Sequence, residues 1–125
     1  MGQTTDGSTM VLVVEDEPMI RMNGVDLLED QGYRVLEAAS ADEAIALLEQ
    51  APDVRLIFSD IDMPGSMNGV ELAELVHRRW PGIRLLLTSG QQKVSGEDMP
   101  EDGRFLPKPY SQGDVIHEVR ALLGR

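Results

Sequence analysis

The chain has 125 residues, 42% of them hydrophobic, with 22 acids against 11 Lys and Arg and no cysteine. That length builds one domain around a single core, and the missing cysteines exclude disulfides and thiolate metal sites, which suits a reducing compartment. A formal net charge of -11 argues against direct nucleic-acid binding, because phosphate backbones need a basic surface; it suits a metal cation or a partner with basic patches.

The start, MGQTTDGST, lacks the apolar stretch of a secretion signal and reads as a flexible polar arm over residues 1–9. No apolar run approaches the roughly 18 residues of a membrane span, so a soluble, cytoplasmic protein without a membrane partner is expected. From residue 10 onward two kinds of segment alternate. MVLVVE (10–15), RVLEA (34–38), RLIFSD (55–60), IRLLLTS (83–89) and RFLPK (104–108) are short, apolar and rich in β-formers. Between them lie stretches with helical spacing. Residues 17–31 set Ile20, Leu27 and Leu28 on one side. Residues 41–50 follow Ser40 with Glu43 three later, a capping box, and turn Ala44, Leu47 and Leu48 inward. Residues 69–79 offer Leu72, Leu75 and Val76, and residues 112–123 follow Ser111 with Val115, Val119, Leu122 and Leu123. Between Ser89 and Arg104 the chain is poor in apolar residues, so the fourth helix is expected to be short or irregular. Nearly continuous apolar strands alternating with helices predict an α/β fold: a doubly wound, five-stranded parallel sheet of flavodoxin-like (βα)5 order. Its functional groups then gather at the carboxyl ends of the strands.

That edge collects Glu15 and Asp16 from the first strand, Asp60 from the third, Thr88 and Ser89 from the fourth, and Lys108 from the fifth. Like-charged carboxylates about 5 Å apart, at an effective dielectric near 20, cost about 3 kcal/mol per pair. A cation has to neutralise them, and hard oxygen ligands of this kind suit Mg²⁺, with Mn²⁺ as a substitute. Lys108 adds a second positive charge, and Gly65 and Gly69 let the loop after the third strand fold tightly against the pocket. A carboxylate nucleophile, a metal, an ammonium and a hydroxyl suit phosphoryl transfer.

Four motifs in order, VLVVEDE, SD-x-x-MPG…NG, LLLTSG and KPY, each at the end of a predicted strand, resemble the receiver domain of two-component response regulators over about residues 10–124. The resemblance implies a receiver domain at 10–125 that acts as a phosphoacceptor signalling switch. Asp60, four residues before Pro64, matches the phosphoacceptor. Glu15 and Asp16 match the acidic pair that holds Mg²⁺, Asp16 directly and Glu15 through water. Asp62 stands where a backbone carbonyl completes the metal shell. Lys108 matches the lysine that contacts the phosphoryl group, and its bond to Pro109 is typically cis in the family. Phe105 occupies the aromatic switch position, though an aromatic there is core as often as switch. Adjacent strand residues point to opposite faces, so only one of Thr88 and Ser89 reaches the phosphoryl group. Ser89 is favoured because small Gly90 follows it and its distance from Asp60 fits better, leaving Thr88 facing the core.

The resemblance further implies a histidine kinase or histidine phosphotransfer protein as donor, a downstream protein target, and slow hydrolysis of the acyl phosphate as the only other chemistry. The readout is then the face formed by the fourth helix, fifth strand and last helix, where many members of the family dock or form homodimers. The same motifs also resemble receivers at the C-terminus of hybrid histidine kinases. LIFSDID resembles, in addition, the nucleophile strand of Mg²⁺-dependent haloacid-dehalogenase-type phosphatases, but that motif opens a chain, wants Thr or Val where Pro64 stands, and belongs to larger domains. A flavin-binding relative is disfavoured because the acidic loop after the first strand repels phosphate. Structural roles compete at single positions: Glu15 and Asp16 as helix-capping acids, and Lys108 as a surface residue. His77 and His117 read as solvated, and the methionines as core filler or surface.

Overall fold

Five strands form one sheet: β1 (Met10–Val14), β2 (Arg34–Ala38), β3 (Val54–Asp60), β4 (Arg84–Ser89) and β5 (Gly103–Pro107). All neighbours pair in parallel, in the order β2-β1-β3-β4-β5. The computed structural model describes residues 9–51, 53–63, 67–90 and 103–124. Among these are four helices: α1 (Pro18–Asp30), α2 (Ala41–Gln50), α3 (Gly69–Arg79) and the last helix, α4 (Gln112–Leu123). The polar arm up to residue 8, the turn at Pro64 and Gly65, and the expected short fourth helix within 91–102 lie outside the described residues. Thr9 is buried, and its carbonyl accepts from the Arg34 amide at 2.9 Å.

The alternation of strand side chains divides the core into two halves. Val11, Val13, Phe58, Leu86 and Leu106 pack with Leu28 of α1 and Val115 and Val119 of α4. Leu12, Val14, Ile57, Leu85 and Leu87 pack on the other face with Ala44 and Leu48 of α2 and Leu72 and Val76 of α3. The sheet is therefore doubly wound, and its order reverses between β1 and β3, which opens a crevice at their carboxyl ends.

Helix starts follow local chemistry. Asn68 with Glu71, and Ser111 with Asp114, form reciprocal capping boxes on α3 and α4. At α2 the expected box is shifted: Ser40 Oγ accepts from the Glu43 amide at 3.2 Å, but the Glu43 carboxylate accepts from Ala39 at 3.1 Å rather than from Ser40. Helix α1 has Pro18 in its first turn and no side-chain cap on Glu17. Its entry is held from outside instead. Glu15 Oε2 accepts from the Glu17 amide at 3.0 Å, and Arg21 Nη1 donates to the Glu15 carbonyl at 2.9 Å while Arg21 Nε binds Glu37 Oε1 at 2.9 Å.

The inward face of α1 is covered unevenly along its length. Leu28 is buried and Leu27 partly so, but Ile20 is 41% exposed. Ile20 still keeps to the side of Leu27, lining a cavity with it, Phe58 and Tyr110. His77 is half-buried rather than solvated, with a buried Nδ1 that has no hydrogen-bond partner among the described residues.

Candidate functional site

Strand geometry decides which side chains meet at the carboxyl edge. Glu15 continues the alternation of Val11 and Val13, Asp60 that of Leu56 and Phe58, and Thr88 that of Leu86, so all three lie on the α1/α4 side of the sheet. Ser89 continues Leu85 and Leu87 and belongs, with Phe105, to the opposite side. Glu15, Asp60, Thr88 and Ser89 are all buried.

Carboxylate oxygens of Glu15, Asp16 and Asp60 lie within 4.8 Å of one another. Asp60 Oδ2 accepts from Lys108 Nζ at 2.8 Å, and Asp60 Oδ1 accepts from the Asp62 amide at 2.9 Å. The Lys108 amide donates to the Ser89 carbonyl at 3.0 Å, which seats the lysine beside the cluster; its bond to Pro109 is cis. Gly69 closes the site from below: a Cβ there would stand 2.5 Å from the Asp60 carbonyl oxygen, so only glycine permits α3 to start this close to β3.

Three carboxylates against one ammonium leave the cluster short of positive charge. Burial pushes the Glu15 carboxyl up to about 7; the hydrogen bond from Glu17 works against this, while the neighbouring Asp60 adds to it. Burial alone would lower Lys108, but its hydrogen bond to Asp60 and the charges of Asp60 and Glu15 raise it above its ordinary value. Burial also raises Tyr110, partly offset by Lys108. The donor set fits a divalent cation with oxygen ligands. Three carboxylate oxygens this close together suit such an ion, and a cation would relieve the cost of ionising Glu15.

Asp62 behaves differently from its neighbours. Its side chain lies outside the three-carboxylate group, and its Oδ2 accepts from Ser89 Oγ at 2.6 Å. Thr88 Oγ1 is buried with no hydrogen-bond partner among the described residues. It lines a cavity of about 10 Å³ together with Glu15, Phe58, Asp60 and Tyr110, room for about one water molecule. Phe105 is half-buried against the core on the α3 side, and its strand partner is Leu87, two residues before Ser89.

Two residues here carry no assignment from the motifs. Tyr110 meets Phe58 edge-on, with ring centroids 6.0 Å apart at 61°, and walls the cavity behind Asp60. Its signal in the sequence is an aromatic directly after Lys108–Pro109, in a chain only 4% aromatic. Arg21 fixes the backbone of Glu15 through contacts that no local pattern announces.

Comparison with known proteins shows what the sequence and the fold are similar to. The sequence is 37% identical over 121 residues to the sensor kinase CckA of Brucella abortus, covering 94% of this chain and 13% of that kinase. It is 30% identical over 116 residues to the response regulator receiver protein CpdR of the same organism, covering 90% of this chain and 95% of CpdR. The CheY-like receiver domain protein of Methanospirillum hungatei superposes with a TM-score of 0.81 at 29% identity, covering 93% of this chain and 94% of that one. No helix among the described residues is long and apolar enough to cross a membrane. Residues 11–120 match the family described as response regulator receiver domain, and with the parallel sheet and the acidic crevice at its edge they establish that this chain belongs to that family.

Proposed function

We propose that the chain, residues 10–125 serving as the receiver and 1–9 as an arm, is a phosphorylation-controlled switch whose acceptor is Asp60. Its donor is a histidine kinase or histidine phosphotransfer protein, and it works in the cytoplasm through protein contacts rather than on nucleic acid. The observation that carries this reading is Asp60 itself, a buried strand-end carboxylate with Lys108 Nζ at 2.8 Å and the oxygens of Glu15 and Asp16 within 4.8 Å.

In the transfer, an Asp60 carboxylate oxygen attacks the phosphorus, the P–N bond to the donor imidazole breaks, and the nitrogen keeps the electron pair. Lys108 gives up its bond to Asp60 and follows the charge onto the phosphoryl oxygens. Glu15, Asp16, Asp60 and the Asp62 backbone carbonyl would hold Mg²⁺ or Mn²⁺, which when bound neutralises charge on the phosphoryl group. Return to the resting state is hydrolysis: water attacks phosphorus, the P–O bond to Asp60 breaks, and the carboxylate is restored. The chain's own chemistry is thus confined to its own side chain. Ser89 and Phe105 form the readout. The Ser89 hydroxyl turns to the phosphoryl oxygens, Phe105 moves into the space it leaves, and a two-state equilibrium shifts at the face of β5 and the last helix.

Incubation with phosphoramidate and Mg²⁺ should add one phosphoryl group to the wild-type chain by intact mass and none to Asp60→Asn. Stoichiometric labelling of that variant would reject the assignment. A second context, a receiver module within a hybrid histidine kinase, is favoured by the 37% identity to the sensor kinase CckA. An immunoblot of the native polypeptide decides it by size.

A further inference from the structure

The site binds its switch hydroxyl to the wrong acid. Ser89 Oγ donates to Asp62 Oδ2 at 2.6 Å, the ordinary length of a charge-assisted hydroxyl–carboxylate hydrogen bond. A serine hydroxyl has one proton to give, and here it is directed at Asp62 and not at Asp60. Asp62 is anchored at its other end as well, because its amide donates to Asp60 Oδ1 at 2.9 Å. One residue therefore grips both the proposed acceptor and the proposed switch hydroxyl.

We infer that Asp62 is a positioning residue, an internal latch that holds Ser89 in the resting arrangement and sets how strongly a phosphoryl group must compete to recruit it. The inference rests on the reading of Asp60 as phosphoacceptor and goes beyond it. A phosphoryl group on Asp60 brings three acceptor oxygens and about two negative charges. It competes with the Asp62 carboxylate for the single Ser89 proton and repels that carboxylate at the same time. Recruiting Ser89 requires breaking the 2.6 Å bond, so the latch opposes activation and its removal favours the active arrangement. Ser89 is buried, so water offers the displaced hydroxyl little compensation.

The test is a double-mutant cycle with beryllofluoride and Mg²⁺ as the phosphoryl mimic, across wild type, Asp62→Ala, Ser89→Ala and the double variant, with Asp62→Asn as a conservative second change. Asp62→Ala should tighten beryllofluoride binding about tenfold, and Asp62→Asn by less, because its amide oxygen still accepts from Ser89. In the Ser89→Ala background both effects should shrink to the part that comes from removing the Asp62 charge. A tightening that persists undiminished without Ser89 would show that Asp62 acts by charge alone and would overturn the latch. A second readout needs neither metal nor mimic: three-bond couplings of the metal-free protein should show a fixed Ser89 χ1 in wild type and an averaged one in Asp62→Ala. An unchanged, fixed χ1 overturns the proposal too. Failure of beryllofluoride to bind wild type at all would remove the Asp60 reading and the latch with it, a result distinct from binding that ignores Asp62.

Discussion

Lys108 and Asp60 lie 48 positions apart and on either side of β4, yet Lys108 Nζ stands 2.8 Å from Asp60 Oδ2. The pair is asymmetric: the carboxylate is buried, while the ammonium side chain keeps 27% of its exposure. Asp60 thus depends on Lys108 more than Lys108 depends on Asp60. The lysine occupies the oxygen that a cation would also seek, and this sets the sign of the first prediction.

Lys108→Met should tighten Mg²⁺ binding several-fold, because it removes a competing positive charge from Asp60. In the absence of metal it should cost about 1–2 kcal/mol, since a buried carboxylate loses its partner, an effect softened by the partial exposure of the pair. Calorimetric Mg²⁺ titration and metal-free thermal melts measure the two effects. Weaker Mg²⁺ binding in the variant would show that the cation and Lys108 do not share Asp60.

Glu15 predicts a pH dependence. Its carboxyl sits at 4.5 in an open chain and about 7 in the metal-free fold. Between those values the folded chain keeps a proton that the unfolded chain has released. Stability contributed by this group is therefore full below pH 4.5 and declines as pH rises to about 7. The upper bound of the loss is about 3 kcal/mol. Melts in chelator should show that decline, Glu15→Gln should flatten it, and saturating Mg²⁺ should flatten it in wild type. A wild-type profile in chelator as flat as that of Glu15→Gln contradicts the assignment.

The strands and helices were legible because apolar runs and helical spacing are properties of consecutive residues. The helix expected at 69–79 is observed as Gly69–Arg79, and the strand expected at 55–60 as Val54–Asp60. The acids at strand ends were legible for the same reason, once a parallel sheet brings those ends to one edge. Ile20 keeps to the predicted side of its helix, lining a cavity with Leu27 and Phe58, but its partial exposure is not set by periodicity. The Ser89–Asp62 contact spans 27 positions and depends on how the chain after β3 curves toward β4. The grip of Arg21 on the Glu15 carbonyl depends likewise on a side chain turned back onto the preceding loop. Local pattern reaches neither.

Two glycines make opposite predictions. Gly24 lies inside α1, and a Cβ there would meet Val13 Cγ1 at 3.5 Å and Phe58 Cε2 at 4.0 Å, ordinary contacts. Gly24→Ala should stabilise the fold by about 1 kcal/mol through helix propensity and a less free unfolded chain. Gly69→Ala would place its Cβ 2.5 Å from the Asp60 carbonyl oxygen and 2.7 Å from Ile61 Cα. Backbone must move, costing about 1–3 kcal/mol, and because the moved strand end carries Asp60, phosphoramidate labelling should slow as well. Denaturant melts with a labelling time course measure both. Equal stability of the two variants would contradict the close approach of α3 to β3.

Thr88 and Ser89, adjacent and both buried, allow the proposed signalling hydroxyl to be told from a packing one. Thr88 Oγ1 has no partner among the described residues, so Thr88→Val removes a desolvated hydroxyl at nearly constant shape. It should be neutral or stabilising by up to about 1 kcal/mol, with labelling unchanged. Ser89→Ala should still be labelled at Asp60, because the attacking oxygen is untouched, but it should break the link from the phosphoryl group to Phe105. The aromatic proton shifts of Phe105, followed before and after phosphoramidate treatment, report that link directly. They should move in wild type and in Thr88→Val and stay still in Ser89→Ala. The reverse pattern would transfer the switch role to Thr88 and place the signal on the α1/α4 side of the sheet.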